Sequence, residues 1–229
     1  ANGPTLAGGA PVREFVDLGR GERVIALVAI DGSTVAIGTK TGVVKRVVVE
    51  APTNKDRWAV IGLKDGDEVV GARSVADDDD LVFIASDGQL LRFGAAAVRP
   101  QGRAAGGMAG VRLGGDAEVV FFGVVPADAT ATVVTISGSS SALPGTEAGS
   151  VKVTDFAEYP TKGRGTGGVR CHRFLKGEDT VILAWAGPNE AIACAGAGVP
   201  VDLPPAEGRR DGSGVHASQP IAAVGSSRG

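Results

Sequence analysis

Leu63-Lys64-Asp65-Gly66-Asp67-Glu68-Val69-Val70-Gly71-Ala72 decides the fold, because it is one of four copies of a block. In each copy a Leu, a few polar or Gly residues and an acid lead into an apolar strand. The others are Leu18-Gly19-Arg20-Gly21-Glu22-Arg23-Val24-Ile25, Leu113-Gly114-Gly115-Asp116-Ala117-Glu118-Val119-Val120 and Leu175-Lys176-Gly177-Glu178-Asp179-Thr180-Val181-Ile182. Successive copies lie roughly 45 to 60 residues apart, the spacing of propeller blades and their relatives. A unit of that size cannot bury its apolar face alone, so the copies must stack around a shared core.

Two further parts recur around each block. The first is a hairpin: apolar β-formers flank Thr39-Lys40-Thr41-Gly42 in one copy and Ser86-Asp87-Gly88 in the next. A short Gly turn between such runs is a strong hairpin signal. A third hairpin carries an insertion at its tip, 139–149, and a fourth spans 191–203. The first copy lacks its hairpin. The second recurring part is a Gly/Arg-rich loop after the hairpin, at 99–112 and 159–170, weaker at 207–215 and contracted at 53–60. No helical period persists anywhere. The expectation is therefore an all-β, propeller-like disc of about five four-stranded blades, one domain over 1–224. Residues 1–30 would be a partial first blade. Residues 33–79, 80–125, 131–186 and 188–224 would form the others, and 225–229 a solvated tail.

Composition narrows the setting. The 229 residues are 43% hydrophobic, enough for a sizeable core, and 36 glycines suit many tight turns. The two cysteines, Cys171 and Cys194, are too few for a disulfide framework. No apolar run approaches the ~18 residues of a membrane span, and no secretory leader pattern is visible. A cytoplasmic, nucleoid-associated location is expected, with no membrane partner.

The net charge of −3, from 23 basic and 26 acidic residues, argues weakly against a nucleic-acid partner. The distribution argues the other way. Between Gln89 and Arg112 there are four arginines and no acid, and between Tyr159 and Lys176 five basic residues and no acid. The acids collect in the Leu-block turns and in the run Asp77-Asp78-Asp79-Asp80. In a radial fold, equivalent parts of each repeat share one rim or face. A basic rim separate from the acids follows. A single Gly/Arg loop reads as a solvated connector; its recurrence at one repeat position points to phosphate binding. Arg presents a planar fork to phosphate oxygens, and Gly lets backbone amides approach closely.

Several stretches resemble a known family. Gly38-Thr39-Lys40-Thr41-Gly42-Val43-Val44-Lys45-Arg46 is similar to the C-terminal β-pinwheel repeats of bacterial type IIA topoisomerase A subunits. So are Leu90-Leu91-Arg92-Phe93, Arg99-Pro100-Gln101-Gly102-Arg103 and Glu158-Tyr159-Pro160-Thr161-Lys162-Gly163-Arg164. The resemblance implies a β-pinwheel of hairpin-invaded blades that bends double-stranded DNA around its basic edge, without sequence readout. It implies a non-catalytic domain that needs no cofactor and steers DNA to the cleavage domain of the same subunit, in a holoenzyme with an ATPase subunit. The gyrase branch carries a box close to Gln-Arg-Arg-Gly-Gly-Arg-Gly. Here Gln101-Gly102-Arg103-Ala104-Ala105-Gly106-Gly107 keeps Gln101, Arg103 and Gly107, and Lys162-Gly163-Arg164-Gly165-Thr166-Gly167-Gly168 keeps Arg164, Gly165 and Gly168. Neither is a full box, so the resemblance leans to the topoisomerase IV branch, with gyrase second. The wording of 174–179 and of Tyr159-Pro160 resembles actinobacterial members. The residues expected to contact phosphate are Lys40, Lys45, Arg46, Lys55, Arg57, Arg92, Arg99, Arg103, Arg112, Lys162, Arg164, Arg170 and Arg173.

Other constellations carry less. Tyr159, the only tyrosine, sits in a blade loop between Glu158 and Pro160 and reads as packing or a DNA contact, not a nucleophile. Cys171 and His172 are strand neighbours pointing to opposite faces, so no shared metal is expected. The Asp77–Asp80 run lacks the Gly and distal Glu of a calcium loop and reads as a solvated turn. A propeller-type protein-interaction module is the competing reading, and salt dependence separates the two. A propeller enzyme would need converging carboxylates with a metal or His near the axis, and the acids here lie in turns.

Overall fold

Alternating apolar strands joined by Gly turns need edge partners, and each hairpin here finds one on both sides. The computed structural model describes residues 10–226 except 56, 144 and 207. Its strands are β1 (Thr34–Thr39), β2 (Val43–Val48), β3 (Val69–Ser74), β4 (Asp80–Ala85), β5 (Gln89–Gly94), β6 (Met108–Ala109), β7 (Val119–Val125) and β8 (Ala131–Gly138). They continue with β9 (Ser150–Asp155), β10 (Val169–Arg170), β11 (Thr180–Pro188), β12 (Ala191–Cys194), β13 (Pro200–Val201), β14 (Val215–His216) and β15 (Ala223–Ser226). The chain is all-β, as its repeats require.

The sheets follow one rule. The orders are β3-β1-β2-β6, β10-β5-β4-β7 and β11-β8-β9-β14, with a three-stranded β13-β12-β15. A hairpin supplies the two middle strands, and the strand after its own Leu block pairs inside it. The short outer strand comes from the following repeat: β6 joins β2, β10 joins β5, and β14 joins β9. Each blade is thus stapled to the next by the chain itself. The inner strands β3, β7, β11 and β15 pack side by side in that order.

Two expectations need correction. Among the described residues there are four sheets, not five: residues 18–30 form no strand. Among the described residues no hairpin strand lies beside them, and a strand without a ladder leaves its backbone groups to water. The segment lies beside the first blade, with Arg23 paired to Glu68 at 3.4 Å and Val28 packed on the Val35-Ile37-Val47 cluster, while Leu27 stays 90% exposed. The expected tail also begins too early. Gly225 and Ser226 belong to β15, paired with Ile192 and Ala191, and only 227–229 lie outside the described residues.

The core is a series of interblade layers. One joins Phe83, Leu91 and Phe93 to Ala36, Val44 and Phe122. The next joins Val82, Ile84 and Leu90 to Val133, Phe156, Tyr159 and Val181. A third joins Val134, Ile136 and Trp185 to Ala193, Val201 and Ile221. In the first three sheets both faces are covered, so the middle strands are mostly buried and lose the polar alternation of a surface sheet, whereas β12 of the fourth leaves Ile192 54% exposed.

Register fixes where the charges go. The Leu-block turns lie beside the hairpin turns: Thr41 donates to Asp67 through its amide (3.0 Å) and hydroxyl (2.7 Å). In the third blade Ser140, in the tip insertion, donates likewise to Asp179 at 2.7 Å through both groups. The Asp77–Asp80 turn lies at the opposite end of the strands. The Gly/Arg loops run between, along the outer edge. Glycine is required where each loop enters its outer strand. Gly168 has φ +72°, and a Cβ there would stand 2.5 Å from the Leu90 carbonyl oxygen. Gly107 and Gly214 meet the Val44 and Val151 carbonyls in the same way, at 2.7 Å.

Candidate nucleic-acid interface

The outer loops are joined end to end by one recurring hydrogen bond. Gly62 N–H donates to Ala105 O (3.2 Å), Arg112 N–H to Thr166 O and Arg173 N–H to Gly212 O (both 3.0 Å). The donor closes one loop and the acceptor sits in the next. Three such stitches make a continuous backbone rim across the blades. Each loop also lies parallel to a strand end of the preceding blade, at Arg46–Pro100 and Arg92–Thr161.

The thirteen cations named from sequence fall into three groups. Arg99, Arg103, Arg112, Arg170 and Arg173 are exposed on or beside the rim loops, and among the described residues their side chains form no ion pair. Lys55 is exposed on the contracted loop, and among the described residues it forms no ion pair. Lys162 is exposed and donates to Gly168 O at 3.0 Å. These remain available to an external anion.

Arg164, Lys40 and Arg57 are partly committed. Arg164 is half-buried and clasps two carbonyls, Ala97 O through Nε (3.2 Å) and Ala109 O through Nη1 (2.5 Å). Lys40 pairs with Glu118 at 3.1 Å on the hairpin-turn side, and Arg57 with Glu22 at 2.9 Å.

Lys45, Arg46 and Arg92 do not stand exposed on the rim, against the expectation; each is committed to partners within the chain. Lys45 is fully buried, and its ammonium donates to Val60 O, Arg103 O and Ala105 O at 2.8–2.9 Å. Burial pulls its pKa below the ordinary lysine range. Arg46 is 3% exposed; it donates to Ala95 O (3.0 Å) and Val98 O (3.2 Å) and pairs with Asp77. Arg92 does the same one blade on. It pairs with Asp80 at 2.7 Å, donates to Tyr159 O at 3.3 Å and lies 4.2 Å from the Phe156 ring centroid. Both guanidiniums cap the short turn after the next hairpin (Ala95–Ala97 or Phe156–Glu158). The Asp77–Asp80 run, expected as a solvated turn, supplies their carboxylates.

Sequence reasoning missed two rim cations. Arg209 and Arg210 lie on the fourth blade's loop, and Arg210 donates to Arg170 O at 3.4 Å, the counterpart of Arg164 on Ala109 O. The signal was present in the weaker Gly/Arg loop, but a neighbouring acid obscured it. Arg209 pairs with that acid, Asp211, at 3.6 Å.

The remaining polar residues are structural. Tyr159 is 1% exposed, and burial raises its pKa well above the ordinary tyrosine value, which suits packing. Cys171 is fully buried, its thiol pushed up to about 12 by burial. His172 is buried too, its Nδ1 2.8 Å from the Thr135 hydroxyl and its Nε2 3.0 Å from that of Ser137. Ser137 also donates to Glu178 at 2.8 Å. Burial lowers the His172 pKa to about 4. The imidazole is therefore neutral when folded and binds a proton near pH 6.5 only when unfolded. Its contribution is complete above pH 6.5 and is lost as pH falls towards 4. Denaturant titrations should show this residue removing about 2 kcal/mol between pH 7 and pH 5, and His172→Gln should flatten that slope.

Comparison with known proteins fits this geometry. Residues 59–76, 79–126 and 145–183 match a family model described as "DNA gyrase C-terminal domain, beta-propeller". The A subunit of DNA gyrase from Salmonella typhimurium is 31% identical over 184 residues, covering 78% of this chain and 20% of that protein. The Mycobacterium leprae protein of the same name is 34% identical over 156 residues, 65% of this chain and 11% of its own length. The chain thus spans a fifth or less of these relatives. In fold, the C-terminal domain of DNA topoisomerase IV superposes with a TM-score of 0.76 at 16% identity, over 94% of this chain and 69% of that one. The DNA gyrase A C-terminal domain gives 0.72 at 18%, over 95% and 74%.

Proposed function

The chain has the repeat sequence and fold of the C-terminal domain of a type IIA topoisomerase A subunit, and from that premise we propose that it binds and bends duplex DNA along its rim. The observation that carries this reading is the set of exposed, unpaired guanidiniums on stitched outer loops, beside cations elsewhere that are paired or buried. Phosphates spaced along a curved duplex meet such a rim without base contacts. Bending 20–30 base pairs costs about 1–6 kcal/mol, offset by several phosphate contacts. In this reading the domain performs no chemistry and needs no cofactor. It delivers DNA to a cleavage domain located elsewhere in the full-length chain, within a holoenzyme that includes an ATPase subunit.

The broken box sequences favour the topoisomerase IV branch. Gyrase is the second reading, favoured by the names of the sequence relatives. Two measurements test the proposal. With about six phosphates neutralised, duplex affinity should fall about a thousandfold between 50 and 200 mM salt. A salt-insensitive complex would instead favour a protein-interaction module. Nicked circular plasmid ligated closed in the presence of the domain separates the two topoisomerase readings: a full wrap traps writhe, and an open bend traps little.

A further inference from the structure

The middle strands of the first and third blades bury a lysine at the same register. Lys45 of β2 is 0% exposed and Lys152 of β9 is 2% exposed. Lys45 Nζ donates to Arg103 O (2.9 Å), Ala105 O and Val60 O (both 2.8 Å). Lys152 Nζ donates to Arg210 O (2.8 Å), Cys171 O (3.1 Å) and the Thr154 hydroxyl (2.6 Å).

The two sets correspond. One acceptor in each is the carbonyl of a rim-loop arginine, Arg103 or Arg210. A second lies two residues before a stitch donor: Val60 before Gly62, and Cys171 before Arg173. A single ammonium therefore spans two successive rim loops beneath their stitch. In the second blade Leu91 occupies this register, and that joint holds without an ammonium, through the Arg164 clasp, which the third blade shares in Arg210, and through Gly165 N–H on Gly110 O at 2.7 Å. An apolar side chain is thus compatible with the position. Burying an ammonium is costly unless every proton finds an acceptor, so its use at two equivalent joints calls for a role beyond filling space.

Building on the DNA-binding reading above, we propose that Lys45 and Lys152 are positioning residues. Each fixes the peptide unit of a rim-loop arginine, Arg103 or Arg210, and so sets the path of that loop and of the cations on it before duplex arrives. Neither lysine touches DNA. Ordering the loops in advance removes part of the entropy that binding would otherwise cost.

The test uses Lys45→Met and Lys152→Leu, with Arg103→Ala as the reference for a lost phosphate contact. Amide hydrogen exchange in 101–107 or 208–214 should rise about tenfold in the matching variant, with β1 and β8 unchanged. Duplex affinity should fall about tenfold at every salt concentration with an unaltered salt slope, whereas Arg103→Ala should reduce the slope by about 0.9. A reduced slope in a lysine variant would make that lysine a direct contact and overturn the proposal. Loosened loops with unchanged affinity would also overturn it, by making the tether purely structural. The wild type gives a check independent of variant folding: two ammonium groups should exchange protons slowly by NMR, and bulk-like exchange at both rules the tethers out. A wild type that retains no duplex removes the DNA-binding reading and this proposal together; one that binds, with unchanged variants, removes only the proposal.

Discussion

Reversing three rim arginines, Arg103→Glu, Arg112→Glu and Arg173→Glu, should lower duplex affinity more than about a hundredfold while shifting the melting temperature by only about 2 °C. All three side chains are exposed, and among the described residues none forms an ion pair. They lie on successive joints of the rim, so the change removes adjacent phosphate contacts and adds like-charge repulsion. Losing three contacts should also reduce the logarithmic salt slope by about 2.7. Stability should hold because Arg112 and Arg173 form their stitches through backbone amides, which any non-proline residue supplies. Exposed substitutions of this kind usually stay within about 0.5 kcal/mol. Lys40→Glu is the control. It breaks an exposed pair with Glu118 on the hairpin-turn side, worth at most about 1 kcal/mol, and should leave affinity within about twofold. Mobility-shift titrations across salt, with thermal unfolding of each variant, decide the matter. Equal losses from the rim and control variants would remove the rim from the argument.

The contrast between Arg103 and Arg46 shows what the sequence conveyed and what it hid. Local patterning exposed the architecture: Gly turns marked the hairpins, and the Leu block marked the inner strands. The recurrence of the Gly/Arg loop marked the rim, where Arg99, Arg103, Arg112, Arg170 and Arg173 stand exposed. The Lys45-Arg46 pair was misread because its environment is assembled from distant chain. Alternation along β2 sends the two side chains to opposite faces. One face is closed by a loop about 60 residues later, the other by the turn after the next hairpin. A blade that borrows its outer strand from the following repeat turns apparent surface cations into buried donors for borrowed carbonyls. The same borrowing explains the first copy. Residues 18–30 carry a legible strand pattern, but a strand is completed only by a hairpin, and none of the described residues supplies one beside it.

The largest loss of stability should come from Phe122→Ala, at about 3–5 kcal/mol, the range for emptying a buried aromatic site. Phe122 is 3% exposed on β7, the inner strand of the second blade. Its ring centroid lies 4.8 Å from that of Phe83, its cross-strand partner, at a 53° tilt. The other side of the ring fills a notch in the first blade at Gly38, where an added Cβ would collide with the ring, while one at Gly71 would strike the Phe122 carbonyl oxygen. The ring is thus the knob that joins two blades near the inner strands, and Gly38 shapes its hole. Alanine would leave that hole empty, because the stapled outer strand keeps the blades from closing over it. For a domain of this size the melting temperature should fall by about 10 °C. The rim should be indifferent to the change, since its stitches and tethers lie at the other edge of the blades. Measured well below the transition, Phe122→Ala should therefore bind duplex with nearly wild-type affinity and salt slope. A variant that melts early and also loses the salt slope when still folded would mean that blade packing, not the loops themselves, sets the rim.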